Sequence, residues 1–156
     1  NTSAPTPLVE TLVNGVLANE FPAETKRMWT FFNENDHEID GEVLQVERRK
    51  DTHFVDVWNE REVHLSERSR LITRLEPRQV GCVVEYPSLI DVSETEIRVR
   101  EPKPGLLLSI QHGPKTLMYP AADPEWIPAP ADMGKVVVKL LDGQEVLDQV
   151  FIAGEQ

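Results

Sequence analysis

A mainly β fold is what this chain of 156 residues predicts, on three observations. From Gly41 onward, apolar and polar residues alternate with period two in one short segment after another. Turn-forming residues separate those segments at the close spacing of small barrels and sandwiches. Near the C-terminus, two alternating segments flank Asp142-Gly143, a pair that tolerates the positive backbone dihedrals of a tight hairpin. The expected architecture has one or two short N-terminal helices within 1–40. A small antiparallel barrel follows over 41–86, then a sandwich-like sheet over 87–156. One continuous α+β domain is the alternative.

The elements follow in order. Asn1 to Pro5 reads as a leader of small polar residues. Pro7 to about Asn19 predicts a helix: Thr6 can cap it, Pro7 suits the first helical position, and Leu8, Val9, Leu12, Val13, Val16 and Leu17 recur at helical spacing. Gly15 counts against it, because a mid-helix glycine costs about 1 kcal/mol relative to alanine. Pro22 to Asn33 fits either a second short helix or, through Met28-Trp29-Thr30-Phe31-Phe32, a buried strand; the helix is preferred. Asn33 to Glu38 is an exposed turn.

Strands are expected at 43–46, 54–58, 62–65, 70–75 and 80–86, with a hairpin around Asn59-Glu60-Arg61. Segment 70–75 also suits a short helical turn. Further strands are expected at 96–100, 106–111, 116–119, 135–141 and 144–152. Between them, Pro120, Pro124, Pro128 and Pro130 interrupt any ladder, since proline has no N–H to donate. A connection of that length in a small domain is a functional loop or a wrapping arm rather than filler.

Composition bounds the function. The formal charge is −11, distributed as −5 over residues 1–40, zero over 41–80 and −6 over 81–156. That field opposes phosphate backbones and anionic lipid surfaces, so neither nucleic acid nor membrane is an expected partner. No apolar run approaches the roughly 18 residues that a spanning helix needs. No signal peptide is recognised, and cytosol or a virion interior suits the composition. Cys82 is the one cysteine, so an internal disulfide is excluded.

Motifs that carry chemistry are missing: there is no GxGxxG, GxxxxGK[ST], GxSxG, HExxH or CxxC. No cofactor and no metal is implied. Three constellations remain. Asp36, His37, Glu38 and Asp40 offer metal-ligating groups but lack the spacing of a calcium loop. His53 and His64 stand on two arms of a hairpin, yet period two points Asp56 away from His53, so acid–base work there lacks its carboxylate. Cys82 with His112 would need an exposed, acidic thiol, and Cys82 lies in an apolar strand.

Surfaces carry more weight. Tyr119, Pro124, Trp126, Ile127 and Pro128 place large apolar groups in or beside a prestiffened loop, where ordering on binding costs little. Together with the leader arm, they predict a non-catalytic structural or protein-interaction module within a larger assembly, such as a virion or multiprotein machine, through self-association or a protein partner. A small hydrolase or metal-dependent enzyme using His53, His64 or the Asp36–Asp40 cluster is one alternative. A small-ligand carrier is the other.

Overall fold

The computed structural model describes residues 6–23, 25–93, 96–121, 127–128 and 135–152. The chain divides into two compact units, 1–86 and 87–156. Every regular element among the described residues is a strand, so no helix is long and apolar enough to cross a membrane.

The first unit holds β1 (Thr6–Val9), β2 (Val16–Phe21), β3 (Arg27–Asn33), β4 (Ile39–Gln45), β5 (Thr52–Asp56), β6 (Arg61–Leu65), β7 (Arg70–Leu75) and β8 (Val80–Pro87). They form one eight-stranded sheet in the order β1-β2-β3-β8-β5-β6-β7-β4. The sheet curls into a half-barrel, and Leu12 N–H donates to the Val43 carbonyl at 2.9 Å, linking the β1–β2 turn to β4. Val16 and Ala18, Trp29 and Phe31, Val43 and Leu44, Phe54, Val63, Leu71, Leu75 and Val83 fill its concave side. Burying each of the larger aliphatic or aromatic side chains contributes about 1.5–3 kcal/mol. Gly81 lies against the Leu75 side chain in this core. A Cβ there would stand 2.7 Å from Leu75 Cδ2, closer than packed carbons tolerate.

The two expected N-terminal helices are absent, and strands β1, β2 and β3 occupy their place. Apolar residues at i, i+3 and i+4 also fit two strands joined by a turn. Here Gly15, at φ +80°, makes that turn, and the following Val16 and Ala18 point inward while Leu17 points out. Segment 27–33 alternates strictly between buried and half-buried residues, which is the period of a strand. Its pairing with β8, 58 residues away from Arg27 to Glu85, overrides local helical preference.

The concave side also contains a buried ion pair. Arg27 Nε lies 2.6 Å from Glu85 Oε1 and Nη2 lies 2.9 Å from Oε2, with both side chains almost fully buried. Arg27 Nη2 further donates to the Glu47 carbonyl, Thr52 Oγ1 donates to Glu85 Oε2, and the guanidinium lies over the Trp29 ring. The pair is bidentate, which is the geometry that offsets the cost of burying two charges.

The second unit is sandwich-like. A three-stranded sheet pairs β9 (Ile90–Val92), β10 (Glu96–Val99) and β13 (Ile127–Pro128) in the order β13-β10-β9. A four-stranded sheet joins β11 (Leu106–His112), β12 (Lys115–Pro120), β14 (Val136–Asp142) and β15 (Glu145–Ile152) in the order β12-β11-β14-β15. Ile90, Ile97 and Val99 from the first sheet share one core with Leu106, Leu108, Ile110, Val136, Val138 and Leu140 from the second. The fully buried Asp148 accepts from Leu89 N–H at 2.8 Å and Ile90 N–H at 3.1 Å, tying β15 to the start of β9. Gly143, at φ +61°, closes the β14–β15 hairpin at the expected Asp-Gly turn.

Candidate functional site

The convex face of β2, β3 and β8 carries a row of side chains that the register aligns. Leu17 pairs with Phe32, which pairs with Val80; one step along, Asn19 pairs with Thr30, which pairs with Cys82. In antiparallel pairs, directly opposed residues share a face, so these six form one continuous surface. Leu8 from β1 and Trp58 from the turn after β5 complete a groove of about 370 Å³ with this row. No charged residue lines it. In a chain with 28% charged residues, such a surface marks a place that does not need water.

Its two ends are held in place by polar groups. Trp58 is 59% exposed, yet the backbone under it is fixed by Asp56, itself only 2% exposed. Asp56 Oδ1 accepts from Trp58 N–H at 3.0 Å and Asn59 N–H at 2.9 Å, and Oδ2 accepts from Asn59 Nδ2 at 2.8 Å and Arg61 Nε at 3.3 Å. A carboxylate satisfied by four donors makes a stiff turn. At the other end, Leu8 has φ +51° and is 68% exposed, and Asn19 Oδ1 accepts its N–H at 3.0 Å. A left-handed backbone at leucine costs roughly 1–2 kcal/mol. Leu8 thus combines a strained backbone with an exposed apolar side chain at the rim of the groove.

The residues singled out from sequence are placed as follows. Tyr119 is half-buried in β12 against the second unit's core, opposite Leu108. The backbone of Ile127–Pro128 folds back as β13 onto Ile97 and Glu96 of β10. Pro124 and Trp126 lie outside the described residues, as does the leader Asn1 to Pro5. Leu117 and Met118 are exposed in β12, but as neighbours in a strand they point to opposite faces and make no single patch.

His53 Nδ1 lies 3.0 Å from Glu62 Oε2, a diagonal cross-strand pair, so the carboxylate near His53 is Glu62 and not Asp56. Glu62 Oε1 is buried without a hydrogen-bond partner. The hollow beside them, about 220 Å³, is lined by Arg48, Arg49, Thr52 and His64 among others. It holds no thiol, and its one hydroxyl, on Thr52, is engaged by Glu85. An imidazole oriented by a carboxylate is present there.

The turn at 36–40 is divided between separate ion pairs, Asp36 with Arg78 at 2.9 Å and Glu38 with Arg74 at 2.7 Å. Among the described residues, no three His, Cys, Asp or Glu side chains gather in the way a metal ion requires. Cys82 sits in the floor of the apolar groove, and burial, with a smaller contribution from the Asp56 charge, pushes its thiol up to about 11. A thiol so placed is a weak nucleophile at neutral pH. His112 belongs to the second unit.

Sequence reasoning missed Leu8, Leu17, Phe32, Val80 and Trp58 as a site. A signal for Trp58 was present: Asp56 two residues before it, followed by Asn59, is the pattern of a side chain that caps its own turn. The rest depended on which strands are neighbours. By sequence, the chain matches no protein-family model and no curated protein.

Proposed function

We propose that this chain is a non-catalytic interaction module, a component of a larger assembly, that docks a partner protein on the convex face of β2, β3 and β8. The observation that carries the reading is the uncharged groove of Leu17, Phe32, Val80, Thr30 and Cys82 with Trp58 and Leu8 standing at its ends. Interface energy concentrates in a few large apolar anchors set in prepared positions, and tryptophan is prominent among them. Trp58 on its Asp56-locked turn has that character. The partner is a foreign protein with an apolar contact and basic residues around it. A second copy would bring another −11 charge against the first, whereas a basic rim is attracted.

The test is a photo-crosslinking amino acid at Val80, in the groove, and at His64, an exposed position on β6. The full chain is used, and whatever is captured is purified and re-tested against Trp58→Ala. One protein captured from position 80 and not from 64, and lost with Trp58→Ala, supports the reading. Equal capture from both positions, or a cross-link only between two copies of this chain, overturns it.

A further inference from the structure

The groove also specifies the shape of what fills it, and we infer that its occupant is an amphipathic α-helix with a basic outer face. This rests on the docking reading above and goes further, by naming the element.

The paired backbone of the groove floor favours a helix. β2 is hydrogen-bonded to β1 and β3, β3 to β2 and β8, and β8 to β3 and β5. The groove floor therefore offers a sheet face, the nearest outer edge being that of β1 at its rim. An extended peptide laid on that face would bury its own N–H and C=O groups without partners, which costs several kcal/mol. A helix arrives with those groups already paired.

The width of the groove also suits a helix. Leu8 belongs to β1 and Trp58 follows β5, so four strand spacings separate them, or about 19 Å. A helix about 10–12 Å across lies between two such walls. A flat second sheet would instead collide with the raised Leu8 and Trp58 side chains, which stand 68% and 59% exposed. Charge selects the outer face of that helix. The groove is neutral, but the unit around it carries ten basic residues against sixteen acidic ones. A helix with an apolar stripe and lysines or arginines behind it is complementary to both.

The probes are three peptides of about 18 residues, long enough to hold a helix. One is an amphipathic Leu/Lys/Ala helix. The second has the same leucines and lysines with two mid-helix alanines replaced by proline. The third carries glutamates in place of the lysines. Binding to the full chain is read by amide and indole NMR shifts. The expected result is that the first peptide moves the Trp58 indole and the amides of Leu17, Phe32 and Val80. The proline peptide, the glutamate peptide and the Trp58→Ala chain should each bind about tenfold or more weakly. Equal binding of the first two peptides overturns the helix and leaves the docking face standing. Shifts that avoid the groove, or full binding to Trp58→Ala, overturn the inference and the docking reading together. Binding by none of the peptides overturns the helix alone, because the cross-linking result decides the face.

Discussion

Replacing Glu85 by glutamine removes one charge and almost no volume from the centre of the first unit. Glu85 is 1% exposed and receives both nitrogens of Arg27 at 2.6 and 2.9 Å, with Arg49 Nη1 at 3.8 Å and the Thr52 hydroxyl at 2.9 Å. The substitution leaves the Arg27 guanidinium, 4% exposed, without the carboxylate it is paired with. Stranding one member of a buried pair costs about 3–5 kcal/mol. Each kcal/mol lowers the midpoint of a unit this size by roughly 4–8 °C, so even the lower figure moves it by more than 10 °C. Arg27→Met should cost less, because Glu85 keeps Thr52 and has Arg49 close enough to approach. The double variant Arg27→Met/Glu85→Leu should return near the starting stability, since two matched apolar groups carry no desolvation cost. Urea unfolding followed by tryptophan fluorescence reports the three values. If Glu85→Gln costs under about 1 kcal/mol, or the double variant is the least stable of the three, the pair does not behave as a buried one and the reasoning fails.

Three further outcomes are expected. Asp56→Ala removes an acceptor of four hydrogen bonds and should cost about 3 kcal/mol while weakening capture at the groove; a change below about 1 kcal/mol in urea unfolding would show that the turn holds without it. Leu8→Gly relieves a left-handed backbone at an exposed position, so it should raise stability by about 1 kcal/mol and at the same time reduce partner affinity. Loss of stability in that variant would show the strain to be absent. The Cys82 thiol, raised to about 11 from 9.0, should be alkylated slowly at pH 8, its thiolate being about 100-fold scarcer than an ordinary one. Between about 9.0 and 11 the unfolded chain loses this proton and the folded chain keeps it, so the Cys82 contribution falls as pH rises through that window and is complete below it. A Cys82→Ala variant should lack that part of the alkaline destabilisation.

By itself, the sequence determined the class of the fold and the strands whose signals are local. The Asp142-Gly143 hairpin and the apolar run at Val80 to Tyr86 are where their residues place them, because alternation and turn chemistry act over a few neighbours. The hairpin expected from 54–58 and 62–65 also forms, but its first strand is Thr52–Asp56 and Trp58 falls in the turn. The first 33 residues were not legible in the same way. Leu8 to Leu17 satisfies a helical stripe as well as two strands, and the choice was made by β3 pairing with β8 across some fifty residues of chain. The proposed docking face depended on the same event. Period two says that Leu17, Phe32 and Val80 point away from their buried neighbours, but only the tertiary register sets them side by side. Trp29 and Trp58 make the point most sharply. Both are tryptophans in strand-like sequence, yet one is sealed under Arg27 and beside Phe54, while the other is held in solvent by Asp56. Their difference comes from packing against the distant Phe54 as well as the nearby Arg27 in the first case and from a buried carboxylate in the second. Burial of that carboxylate is a property of the folded sheet.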